Sequence, residues 1–194
     1  MWASDPLIQT ISVLFADVRG FTGLSESLDP ERLIAIINGY FTVATKAITR
    51  YGGVIDKFLG DGIMALFNTP LNPQDDHVAR AVLAAQAITA SVADHHRTLP
   101  AVHRLHFGIG LHTGEAVIGN LGSPQRKDYS AIGDVVNLAK RIQEGACAGQ
   151  ILITEPVLQI LGEEAEVEHL PPVPVKGRRE VPALFSLKSF RLDT

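Results

Sequence analysis

The chain carries a single cysteine, Cys147, so it forms no internal disulfide and suits a reducing, cytoplasmic compartment; the thiol itself reads as a small packing residue. Long apolar runs are missing too. The longest uncharged helical stretch, Leu33 to Thr45, is too short to span a bilayer and is interrupted by Asn38 and Gly39. No basic, apolar and small segments follow one another at the start in the manner of a signal peptide. Charge of one sign is not in excess: a net −4 gives no global attraction to nucleic acid or an anionic membrane, so an anionic ligand must be met by locally placed cations. The seven histidines show no spacing with cysteine that fits a zinc site. Repeats, low-complexity tracts and internal linkers are absent from the sequence.

What is present fits one globular domain over residues 1–194: 46% hydrophobic and 20% charged residues, enough for a substantial core. Ile11 to Ala16 reads as a buried strand ending at Asp17. Asp29-Pro30-Glu31 opens a helix that runs through Asn38-Gly39 in unbroken phase and stops at Gly52-Gly53. Two apolar runs, Val54–Leu59 and Ile63–Phe67, flank a Gly60-Asp61-Gly62 corner and predict a hairpin. A second helix follows Asp75-Asp76, with Val78, Val82, Ala85, Ile88 and Val92 on one face. Leu105–His112 and Ala116–Gly119 are expected to form a strand pair turning at Thr113-Gly114, followed by a polar loop over Ser123–Asp128. A short helix from about Asp134 to Glu144, a strand at Ile151–Ile153, a helix after Thr154-Glu155-Pro156, and strands near Val167 and Ala183–Leu187 complete a mixed α+β fold. His95 and His96 are expected to be exposed at a helix end.

Two carboxylates draw attention. Asp17 ends a buried strand and Asp61 sits at a hairpin tip. If the hairpin pairs beside the first strand, both reach one sheet edge, where hard divalent cations find the oxygens they prefer. Two such ions can clamp an in-line displacement at phosphorus. Taken alone, each is better read the ordinary way, Asp17 as a loop cap and Asp61 as a turn residue. Asn137 and Arg141 are four apart on a helix and share a face; Lys140 between them is expected to face elsewhere and be solvated.

Five segments then resemble the class III adenylyl and guanylyl cyclases, in that family's order: FADVRGFT over Phe15–Thr22, DKFLGDGIMALF over Asp56–Phe67, GIGLHTG over Gly108–Gly114, DYSAIGDVVNLAKR over Asp128–Arg141, and Val175-Lys176-Gly177. The likeness extends over a core of about residues 11–187. It implies a ferredoxin-like βαββαβ core, enlarged, with a mainly antiparallel sheet covered by helices. It implies that Asp17 and Asp61, with the Val18 backbone carbonyl, bind two Mg²⁺ or Mn²⁺ ions. Asn137 would orient the ribose and Arg141 would stabilise charge on the α-phosphoryl group. Lys176 would contact the β- and γ-phosphates. Lys57 occupies the adenine-selecting position and can donate to N1 of adenine, where guanylyl cyclases generally carry glutamate. Ser130 departs from the aspartate common in adenylyl cyclases; a hydroxyl accepts from the adenine amine but can also donate. A Thr/Ser subclass resembles the cyclases that respond to bicarbonate, which makes a bicarbonate response an expectation here.

The resemblance also implies a homodimer with active sites across the interface, and an upstream regulatory domain in a longer protein. ATP is the expected substrate and cyclic AMP the product. A guanylate cyclase, or a non-catalytic nucleotide-binding or dimerisation domain of the same fold, are the alternatives. Leu59-Gly60-Asp61-Gly62 does not match the signature of diguanylate cyclases.

Overall fold

A computed structural model describes residues 6–171 and 183–192. Its centre is a pair of long antiparallel strands, β1 (Leu7–Arg19) and β4 (His106–Ser123). They pair without interruption from Leu7 opposite Ile118 to Arg19 opposite His106. Between them in sequence come α1 (Phe21–Ser27), α2 (Pro30–Arg50), the hairpin β2 (Val54–Leu59) and β3 (Gly62–Phe67), and α3 (His77–His95). After β4 follow β5 (Arg126–Ile132), α4 (Asp134–Glu144), β6 (Ile151–Thr154), α5 (Glu155–Leu161), β7 (Ala165–Leu170) and β8 (Leu184–Phe190).

The eight strands of the described residues form one sheet in the order β2-β3-β1-β4-β6-β8-β7, with β5 paired to the far end of β4. Taking β1-α2-β2-β3-α3-β4 alone gives the ferredoxin-like βαββαβ pattern. Every pairing is antiparallel except β4 with β6.

Why the first apolar run is continuous follows from burial on both sheet faces. Leu14, Ala16 and Val18 pack under α2 and α3, against Tyr40, Ala44, Ile48, Val82 and Ile88. Ile11, Val13 and Phe15 point the other way and pack with Met64, Leu66, Val135 and Ala139. A strand covered on one face only would alternate apolar and polar residues. Asp17 shares the side of Ile11, Val13 and Phe15, since successive side chains alternate, and so it faces α4.

Helix α2 starts where its cap dictates: the Asp29 carboxylate accepts the Arg32 N–H at 3.0 Å, and Pro30 occupies the first turn. Tyr40, fully buried, donates to the His103 carbonyl at 3.0 Å and accepts the Leu105 N–H at 2.7 Å.

Four expectations are corrected. Thr113-Gly114 is no turn: it lies inside β4, opposite Ser12 and Ile11, and the Thr113 hydroxyl donates to the Ile11 carbonyl at 3.0 Å. Thirteen paired β1 positions outweigh a local turn signal. Ser123–Asp128 is not a loop but the tip of a β4–β5 hairpin, with Ser123 opposite Arg126; its exposure on both sides leaves no apolar pattern to read. Cys147 is exposed rather than packed. His95 and His96 are partly buried, both edge-on to the Tyr40 ring. The short α1 had no sequence signal strong enough to predict it.

Candidate active site

The β2–β3 connection is two residues long, Gly60-Asp61, with Gly60 at φ 62°, a backbone conformation that glycine adopts without strain. Because β3 pairs with β1, Asp17 stands opposite Gly62, and Asp61 follows at the same end. The Val18 N–H donates to the Asp61 carbonyl at 3.1 Å, fastening the tip to β1. A Cβ on Gly62 would collide with Asp17 Oδ1, so the glycine makes the room in which that carboxylate sits.

Asp17 already has one cation beside it. Lys140 Nζ donates to Asp17 Oδ2 at 2.5 Å and to Gln143 Oε1 at 2.8 Å. Gln143, fully buried, donates in turn to the Gly108 carbonyl at 3.2 Å. The Lys140 ammonium also lies 5.7 Å from the centre of the Phe15 ring. The expectation that Lys140 is merely solvated is therefore corrected: it is one residue, about 100° around the helix, from Arg141, and it turns inward. The available signal was its place beside Ala139 and three before Gln143, both buried. Arg19 fastens the same helix end by donating to the Gln143 carbonyl at 2.6 Å, a cation at a helix C-terminus. Sequence reasoning gave Arg19 no role.

The donor set fits hard divalent cations. Two aspartates stand at one strand end, one of them already attracting an ammonium. Among the described residues no group of three or more His, Cys, Asp or Glu side chains forms a complete cage. Ions that take one or two protein carboxylates and complete their shell with substrate phosphates match that supply.

A second cluster forms where β5 folds back toward β2. The Ser130 hydroxyl donates to Asp56 Oδ2 at 2.9 Å, and Lys57 Nζ lies 3.2 Å from the same oxygen. Lys57 and Ser130 are thus brought together by Asp56, a residue to which sequence reasoning assigned nothing. Beside Ser130, burial pushes the Tyr129 hydroxyl's pKa above its usual value.

Asn137 and Arg141 are both exposed on α4. Neither is joined to Asp17 or Asp61 by a hydrogen bond among the described residues. Lys176 lies outside the described residues.

A family model described as the adenylate and guanylate cyclase catalytic domain matches residues 4–189. The adenylate cyclase of Anabaena cylindrica is 36% identical over 92% of this chain, which spans 37% of that protein. The terminal-differentiation-specific adenylate cyclase of Dictyostelium discoideum is 31% identical over 96% of the chain, which spans 9% of it. Among solved structures, the guanylyl cyclase Cya2 superposes with a TM-score of 0.90 at 34% identity, covering 98% of this chain and 96% of that one. The adenylyl cyclase CyaB from P. aeruginosa gives 0.90 at 31% identity, covering 98% and 99%.

Proposed function

The chain belongs to the adenylate and guanylate cyclase catalytic domain family, and from that premise we propose that it converts ATP to 3′,5′-cyclic AMP and pyrophosphate in sites shared by two copies. Structural neighbours with the same TM-score include a guanylyl and an adenylyl cyclase, so the base choice rests on residues of this chain. The observation that carries it is the meeting of Lys57 and Ser130 on one carboxylate oxygen. Together they offer a donor and a hydroxyl oxygen, which match the N1 acceptor and the amine of adenine; guanine has a donor at N1 and an acceptor at O6.

In the reaction, the ribose 3′-oxygen bonds to the α-phosphorus and gives up its proton to solvent. The bond from that phosphorus to the bridging oxygen breaks, and its electron pair leaves on pyrophosphate. Asp17, Asp61 and the Val18 carbonyl would hold two Mg²⁺ or Mn²⁺ ions, which supply Lewis acidity at the 3′-hydroxyl and the triphosphate. Asn137 orients the ribose. Arg141, always charged and with a planar fork of donors, neutralises charge growing on the α-phosphoryl group. Lys176 is assigned to the β- and γ-phosphates.

A shared site is supported by the geometry of α4. It turns Lys140 toward its own chain's Asp17 and leaves Asn137 and Arg141 open to solvent. A second copy related by two-fold symmetry would bring that exposed pair to its neighbour's carboxylates. The relatives' greater length fits a catalytic portion coupled to an upstream regulatory domain. Among the described residues no helix is long and apolar enough to cross a membrane, and the proposed use of ATP suits the cytoplasm.

The test is product analysis from ATP and GTP in separate reactions with Mg²⁺ or Mn²⁺, across a range of protein concentrations. Cyclic AMP, with specific activity rising as dimers form, is the expected result. Cyclic GMP would overturn the base choice, and no cyclic product from folded dimer would overturn the reaction. Bicarbonate added at fixed pH in the same assay is expected to raise turnover; an unchanged rate rejects that response.

A further inference from the structure

Asp56 is placed by an irregularity in the hairpin. In the β2–β3 ladder Ile55 faces Ala65 and Lys57 faces Met64, so Asp56 is an extra residue with no partner across the strands. Such a bulge re-aims a side chain and interrupts the alternation of faces. That interruption is what lets the carboxylate reach the ammonium of the adjacent residue, Lys57, at 3.2 Å. The side chain of Asp56 is 1% exposed while that of Lys57 is 41% exposed: the anion is buried behind the cation. Oδ2 takes both the Ser130 proton and the Lys57 contact, and Oδ1 is buried with no hydrogen-bond partner among the described residues.

We propose that Asp56 is a positioning residue for base selection: it takes the Ser130 proton and holds the Lys57 ammonium, so that the pair presents one acceptor and one donor. The proposal rests on the adenylate reading and supplies what that reading lacks. A free serine hydroxyl accepts or donates with equal ease, so it would serve the amine of adenine or O6 of guanine. With its proton committed to Asp56, Ser130 has only lone pairs left for the base, and it acts as the acceptor that a carboxylate at position 130 would be. The negative charge sits on Asp56 behind Ser130 instead of at position 130, and the hydroxyl relays it forward.

Selectivity, the ratio of kcat/KM for ATP to that for GTP, is the readout, because a structural defect would lower both substrates together. Asp56→Asn should lower the ratio at least tenfold, since the amide can donate to Ser130 and free its proton for guanine O6. Adding Ser130→Asp to that variant should restore the ratio by returning a carboxylate to the base. Should Asp56→Asn fail to fold, the isosteric pair Ser130→Thr and Ser130→Val tests the same relay: threonine should keep the ratio and valine should lose it at least tenfold. A ratio unchanged within threefold in Asp56→Asn, or equal ratios in the threonine and valine variants, overturns the proposal. Wild-type protein that uses GTP as readily as ATP overturns the adenylate reading itself, and is seen before any variant is made.

Discussion

Lys140 occupies the ground between a carboxylate and a buried amide, 32% exposed where its Asp17 partner is 16% exposed. An ion pair that is partly open to water contributes little stability, about 0–1 kcal/mol. Its larger effect is on whatever else binds Asp17, because a divalent ion must displace or accommodate the ammonium. Lys140→Ala is therefore expected to tighten Mn²⁺ binding by up to about tenfold, read by calorimetric titration of the nucleotide-free protein. Unchanged or weaker binding would show that the ammonium does not compete. His77 offers a different residue-scale test. Its Nδ1 lies 2.8 Å from the Ser12 hydroxyl in the interior, and burial holds its pKa below the ordinary value despite the opposing pull of Asp76. His106 is likewise lowered, by burial and then by the neighbouring His96. An imidazole that resists protonation when folded leaves stability intact above its unfolded pKa of about 6.5 and loses it as pH falls toward the folded value. Urea midpoints should fall between pH 7.5 and 5.5, and His77→Gln should flatten that slope.

At the scale of elements, the contact between α4 and the sheet depends on a missing side chain. A Cβ on Gly110 would lie 2.5 Å from the Gln143 nitrogen and 2.7 Å from its Cα, so backbone packs on backbone there. Gly110→Ala should cost about 1–3 kcal/mol of stability, visible as a lowered urea midpoint, and should disturb the Lys140–Gln143 pair above it. Helices were the most legible elements. The extent of α4 agrees with the approximate limits read from the sequence, and α2 runs through Asn38-Gly39, where periodicity on both flanks is in phase. Strands were harder where pairing is remote. Thr113-Gly114 reads as a turn locally and is held straight by β1, more than a hundred residues away in sequence at the Thr113–Ile11 hydrogen bond. The juxtaposition of Asp17 with Asp61 was legible because a hairpin tip beside a strand end is a local construction. Asp56 and Lys140 were not, because a bulge and a helix's rotation about its axis depend on packing that no short window contains.

For the whole molecule, the proposed division of labour predicts complementation. Asp17→Ala and Arg141→Ala are each expected to lower turnover at least a hundredfold. Mixed and allowed to exchange subunits, they should regain activity, because a heterodimer keeps one site with both wild-type residues. A mixture no more active than its components would refute shared sites. In that arrangement α4 is a beam with two loads. One end of its circumference is tied to its own chain's Asp17 through Lys140, anchored by Arg19, and the other carries Asn137 and Arg141 outward. In that arrangement, whatever drew Lys140 from Asp17 would bear on the same helix that offers Asn137 and Arg141 to the neighbour, and the occupancy of one site would be felt at the other. The dimer would then count its ligands as a pair, and a regulator would need to grip only one helix per subunit to address both.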